Sequence, residues 1–209
     1  MVGRTGAGKS TITSSILRLV EPTAGAIELD GRSIVEVPLK DLRSSITLIA
    51  QEPVLIEGTL RENLDPRSEH SDERLLETLR RCCLEAVFQE REGLETRISD
   101  AGDNLSIGEK QLVCIARAIL RDSRLVLIDE ATANIDVKAD ALIQQTIREC
   151  FREATVITIA HRIKTIMHSD RILVMSDGQA VEFDTPDRLL ASQNYFYRLY
   201  TQSQNDSEL

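Results

Sequence analysis

The chain has 209 residues, 42% of them hydrophobic and 28% charged, with a formal net charge of −9. That length suits one domain with a substantial core, and the acidic balance argues against a nucleic-acid-binding protein held by a broad basic surface. Its longest apolar runs, such as Leu125 to Ile128, fall far short of the ~20 residues that span a bilayer, so neither a membrane span nor a signal peptide is expected within it.

At the start, Gly3-Arg4-Thr5-Gly6-Ala7-Gly8-Lys9-Ser10 fills the pattern G-x-x-x-x-G-K-[ST], and Thr11 leads into an apolar set at helical spacing, Ile12, Ile16, Leu17 and Val20. The pattern predicts a phosphate-binding loop opening a helix. Glycines let the backbone wrap an anion, so successive N–H groups and the helix N-terminus converge on it. Lys9 adds a point charge for β- and γ-phosphates, Ser10 a hydroxyl for Mg²⁺, and Thr11 a second hydroxyl near a phosphate. The helix is expected to run to about Val20, since Pro22 disfavours helix at Glu21.

A short hairpin follows, with Ile27 and Leu29 alternating with charged residues before Asp30-Gly31 and then Ile34 and Val35. Pro38 to Arg43 suits one or two helical turns, and Ile46 to Ala50 a buried strand that ends at Gln51. From Glu52 to Asn104 the chain turns charged and helical, with Ser71 as a cap before Asp72 and Glu73 and an apolar face of Leu75, Leu76 and Leu79. This reads as a helical subdomain, residues 60–120, inserted in an α/β core. A helix from Ser106 precedes Leu125 to Ile128, a central strand buried on both faces. Ala139 to Phe151 is expected as helix, Thr155 to Ile159 as strand, and Ile163 to Met167 as a short helix. Ile172 to Met175 and Val181 to Phe183 flank an Asp177-Gly178 turn, and helices follow from Pro186 and Tyr195. Residues 201–209 are expected to be a disordered tail. Alternating strands and helices make this an α/β fold with a largely parallel sheet, helices on both faces and a small antiparallel β region.

Further positions invite chemistry. Asp129 and Glu130 end a strand, where ligands of α/β sheets sit, so Asp129 suits Mg²⁺ and Glu130 an attacking water as general base. Leu105-Ser106-Ile107-Gly108-Glu109 reads as a capping box for the next helix and equally as a second phosphate site made of a hydroxyl, a glycine backbone and a helix N-terminus. His161 is either structural or a hydrogen-bond partner of a γ-phosphate. Gln51 is either a plain strand end or an amide that reaches Mg²⁺ or water. The four cysteines lack paired C-x-x-C spacing and read as reduced thiols in the core or on the surface.

In order, these features resemble the nucleotide-binding domain of ATP-binding cassette (ABC) proteins, over nearly all of Val2 to Tyr200. Gly3 to Thr11 is similar to the family's Walker A motif, Gln51 to its Q-loop, and Leu105 to Glu109 to its signature. Leu125 to Asp129 resembles Walker B, Glu130 the catalytic glutamate, Ala131 to Asp136 the D-loop and His161 the switch histidine. The stretches Asn63-Leu64-Asp65-Pro66, Gln111-Leu112-Val113-Cys114 and Thr158 to Arg162 look like the second such domain of the C subfamily, the multidrug-resistance-associated exporters. The resemblance implies a P-loop NTPase that binds and hydrolyses Mg-ATP. It implies a second nucleotide-binding domain paired head to tail, and closure that drives transmembrane domains encoded elsewhere, at the cytoplasmic face of a membrane. A non-hydrolytic regulatory cassette that binds ATP and gates a partner is the alternative; the presence of both Glu130 and His161 favours hydrolysis.

Two departures stand out. The usual signature is Leu-Ser-Gly-Gly-Gln, whereas Ile107 and Glu109 stand here, the latter placing a negative charge near an anion site. The family also has strands and an adenine-stacking aromatic before Walker A, whereas the loop here begins at Gly3. The expectation is therefore of an N-terminally truncated domain, a fragment or incomplete gene model. It would fold poorly and bind ATP weakly alone, with Ile46 to Ala50, Leu125 to Ile128 and Thr155 to Ile159 flanking the missing strand.

Overall fold

The computed structural model describes residues 1–129, 135–160 and 162–205. In chain order, α1 (Lys9–Ile16) leads to a hairpin of β1 (Glu28–Leu29) and β2 (Arg32–Ser33), then to α2 (Leu39–Ser45). Next come β3 (Ile46–Ile49), β4 (Gly58–Thr59), α3 (Leu60–Leu64), α4 (Asp72–Arg81) and α5 (Glu85–Gln89). They are followed by β5 (Arg97–Ile98), α6 (Ile107–Arg121), β6 (Leu125–Asp129), α7 (Val137–Cys150) and β7 (Thr155–Ile159). Last are α8 (Ile163–Ile166), β8 (Ile172–Ser176), β9 (Gln179–Asp184), α9 (Pro186–Ser192) and α10 (Tyr195–Asn205). The α/β class is as expected. The chain divides into two compact units, Met1–Ser44 with Ile157–Leu209, and Ser45–Val156, the division falling within β7.

In the Ser45–Val156 unit, β3 pairs in parallel with β6, from Ile46 opposite Leu125 to Ile49 opposite Ile128. The strand order β3, β6, β7 makes β6 central, and its first four residues are buried, as a strand covered on both faces requires. Leucines and isoleucines of α3, α4 and α6 share one apolar core with Ile49, Val126, Ile128 and the Ile143 and Ile147 face of α7. Local sequence starts these helices, at Ser71 as read and at Thr59 through a box the sequence reading did not name. Ser71 accepts from the Arg74 N–H, and Thr59 with Glu62 forms a capping box on α3.

In the other unit, β8 and β9 form an antiparallel hairpin, and Val2 bridges Val174 in parallel. The Val2 N–H donates to the Leu173 carbonyl (2.9 Å) and the Met175 N–H to the Val2 carbonyl (2.8 Å). On the other side the Met1 ammonium donates to the Thr158 carbonyl (2.5 Å), and the Ala160 N–H to the Met1 carbonyl (3.1 Å). Of the three expected neighbours of the strand that feeds the loop, Thr155 to Ile159 is found beside it through Thr158, whereas Ile46 to Ala50 and Leu125 to Ile128 are corrected. The feeding strand's place is beside Thr158 to Ala160 and β8, while β3 and β6 pair with each other directly, because Val2 matches the register of Val174.

Helix α1 is shorter than expected. It stops at Ile16 because Arg18 takes a left-handed backbone (φ 48°) and its Nη1 donates to the carbonyls of Ile34 (3.0 Å) and Val37 (2.8 Å). Leu19 and Val20 are consequently exposed. At the other end α10 continues through Thr201 to Asn205, where disorder was expected. Thr201 Oγ1 donates back to Tyr197 and Ser203 Oγ to Tyr200, and Phe196 anchors the helix in the core. Residues 206–209 lie outside the described residues.

Leu127 of β6 is fully buried. Leu127→Ala should cost about 2–5 kcal/mol, the range for truncating a buried leucine. Denaturant unfolding of the chain measures this, and a loss below about 1 kcal/mol would show that the β6 side chain is not packed as described.

Candidate functional site

The phosphate-loop sequence forms a compact turn whose shape is set from outside as well as within. A Cβ on Gly3 would lie 2.2 Å from the Met175 carbonyl oxygen, so only glycine lets the chain leave β8's side there. Gly8, the N-cap of α1, has φ 97°, a left-handed backbone that glycine adopts without strain. The tip of the β8–β9 hairpin supports the loop from below, Gly178 N–H donating to the Ala7 carbonyl (3.3 Å). Ala7 and Lys9 are buried, whereas Arg4, Thr5, Gly6, Ser10 and Thr11 are exposed. Lys9 Nζ donates to the carbonyls of Gly3 (2.7 Å) and Arg4 (3.1 Å), which keeps the ammonium against the loop it would serve. Ser10 and Thr11 in the first turn of α1 present hydroxyls to solvent.

Gln51, Asp129, Ser106, Gly108 and Glu109 belong to the other unit. Because Ile49 is opposite Ile128, the parallel register brings Gln51 and Asp129 to the same end of the sheet, the carboxyl end where α/β proteins bind ligands. At the start of α6, Ser106 and Glu109 form the capping box. Glu109 N–H donates to Ser106 Oγ (3.2 Å), and Glu109 Oε2 accepts from the Ser106 N–H (2.7 Å) and hydroxyl (2.8 Å). Arg91, 18 residues earlier, donates from Nη2 to Glu109 Oε1 (3.3 Å) and lies over the Phe88 ring. The carboxylate that departs from the family signature is thus paired with a residue that has no sequence cue of its own. Gly108 is buried against α7, the Ala139 Cβ lying 3.0 Å from where a Cβ on Gly108 would stand.

Glu130, Ala131 to Asn134 and His161 lie outside the described residues. Asp136, the last residue of the expected D-loop, caps α7 by accepting from the N–H groups of Lys138 (3.0 Å) and Ala139 (3.1 Å). Among the described residues no group of three or more His, Cys, Asp or Glu could hold a metal ion. A magnesium ion carried by phosphates needs no such cluster. The Ser10 hydroxyl in one unit and the Asp129 carboxylate in the other are each an oxygen donor of the kind magnesium takes. Sequence reading missed Met175 and Gly178 as supports of the loop, because Asp177-Gly178 signals only a turn and nothing local says what the turn meets.

The ABC transporter family model matches residues 1–133. The ATP-binding cassette transporter abc2 of Schizosaccharomyces pombe is 48% identical over 205 residues, and ATP-binding cassette sub-family C member 3 of Rattus norvegicus 50% identical over 198. These alignments cover 97% and 94% of this chain but only 14% and 13% of those proteins, so the chain spans about one-seventh of their length. A solved bacterial Atm1-family ABC exporter with ATP bound superposes with a TM-score of 0.88 at 32% identity, over 96% of this chain and 35% of that one. The matched motif, the loop geometry and the shared fold agree: the chain belongs to the ABC transporter family and is similar to nucleotide-binding domains of its C subfamily.

Proposed function

We propose that this chain binds Mg-ATP on the loop from Gly3 to Thr11 and hydrolyses it as a nucleotide-binding domain of an ABC exporter. The observation that carries the reading is the loop itself. Glycine backbone conformations and the N-terminus of α1 surround a buried Lys9, an arrangement suited to a polyphosphate and to little else. Backbone N–H groups of Gly6 to Ser10 would hold the β-phosphate, and Lys9 would exchange its loop carbonyls for β- and γ-phosphate oxygens. Ser10, Asp129 and Gln51 would hold Mg²⁺, which when bound neutralises charge between the β- and γ-phosphates. Glu130 takes the proton of a water attacking the γ-phosphorus while the bond to the β–γ bridging oxygen breaks and ADP leaves. His161 hydrogen-bonds the γ-phosphate.

Ser106 and Gly108 open an N-terminus that would meet the nucleotide of a second nucleotide-binding domain paired head to tail. Glu109 lowers the pull of that N-terminus on an anion, and Arg91 offsets part of its charge. Closure would be passed to transmembrane domains, with this chain on the cytoplasmic face of the membrane. Among the described residues no helix is long and apolar enough to cross a bilayer.

Glu130→Gln is expected to lower turnover by about 10²–10⁴-fold with ATP binding retained, because the amide keeps the shape and loses the base. Steady-state hydrolysis by the exporter carrying this chain measures it, and near-normal turnover would favour the regulatory, non-hydrolytic cassette. Lys9→Ala should weaken occupancy of this chain's own ATP, whereas Ser106→Arg should impair closure on the partner's. Photocrosslinking of labelled ATP to each site separates them; equal loss at the Lys9 site in both variants would be incompatible with the head-to-tail arrangement.

A further inference from the structure

Helix α6 holds the connection that carries Gln51 at both of its ends. Gln111, fully buried, donates from Nε2 to the Ala50 carbonyl (3.3 Å). Further along the same helix, Arg117 donates from Nη1 to the Val54 carbonyl (2.5 Å), from Nη2 to Asn63 Oδ1 (2.6 Å), and from Nε to the Asn63 carbonyl. Asn63, itself buried, completes the clamp. Its Nδ2 donates to the carbonyls of Ile56 (2.8 Å) and Thr59 (3.0 Å), and its Oδ1 accepts from the Ile56 N–H (3.0 Å).

Between these two held points the backbone bends at Gln51 and Glu52, both of which are exposed. Leu55, buried in the core, pins the far side.

Neither gripping side chain is explained by packing. Gln111 Oε1 is buried with no hydrogen-bond partner among the described residues, a cost that an apolar side chain of equal length would avoid. Arg117 spends a half-buried guanidinium on neutral acceptors, with no carboxylate pairing with it among the described residues, and burial pulls its pKa below the usual arginine value. Both polar groups are accounted for by the carbonyls they hold.

We propose that Gln111 and Arg117 are positioning residues for Gln51. They fasten both ends of its loop to the helix that begins at Ser106, so that a displacement of α6 is passed to the Gln51 amide. The proposal rests on the reading of Gln51 as reaching the metal or the attacking water.

The test is a mutant cycle in the exporter carrying this chain, with Gln111→Met, Arg117→Lys, Gln51→Ala and the doubles, measuring kcat and KM for ATP. Each of Gln111→Met and Arg117→Lys should lower kcat about 5–10-fold with KM within about 2-fold, the signature of lost transition-state positioning. In the Gln51→Ala background the same substitutions should cost less than about 2-fold more, since residues acting through one group are not additive. Undiminished losses in that background would overturn the proposal, as would unchanged kcat in both single variants. Normal kcat in Gln51→Ala would instead overturn the reading of Gln51, and this proposal with it. Arg117→Lys keeps the charge, so it supplies the same comparison if Gln111→Met does not assemble.

Discussion

The phosphate loop depends on how Met1 and Val2 are held between Thr158 to Ala160 and Leu173 to Met175. Each of those backbone bonds contributes only about 1 kcal/mol net, yet together they fix the direction in which the chain leaves the sheet. Gly3 then has no freedom to acquire a side chain, because the Met175 carbonyl occupies its space. The hairpin tip at Gly178 sets the height of Ala7. A loop whose own sequence is permissive becomes rigid because its neighbours are not.

The second support is α6. Its N-terminus leaves N–H groups without helical partners, and the Ser106–Glu109 box satisfies two of them before any ligand arrives. The helix is therefore formed in advance. The same carboxylate weakens the attraction of that terminus for an anion, and the Arg91 pair, partly exposed on both sides, offsets this only modestly. One residue thus trades ligand attraction for helix stability.

Much of this was legible in the residues because the signals were local. A glycine pattern before an apolar helical face, four apolar residues before Asp129, and Ser106 three residues ahead of Glu109 each carry their own geometry. The helix from Lys9 was overextended because nothing near Val20 reveals that Arg18 reaches the carbonyls of Ile34 and Val37. Of the expected strand neighbours of the loop's entry, Thr155 to Ile159 was right, and two were misplaced for a related reason: sheet order is a property of pairing between distant segments, and nothing local tells Ile46 to Ile49 from Ile172 to Met175 as the partner. The support given by Met175, Gly178 and Arg91 was invisible because only folding brings them near the motifs they serve. The helical end of α10 was hidden by a polar composition that reads as solvated chain, although its hydroxyls bond back along the helix.

The hold of the β8–β9 hairpin on the loop also bears on when the site can form. The groups that shape the motif, Met175 and Gly178, follow it at a long distance in sequence and are synthesised well after it. The Ser45–Val156 unit is continuous and can collapse on its own contacts, whereas the loop's unit must join two segments far apart in sequence. Closing so long a separation is slow, because its entropy is lost before the contacts reward it. During synthesis the Lys9 loop therefore stays unshaped until the hairpin has left the ribosome.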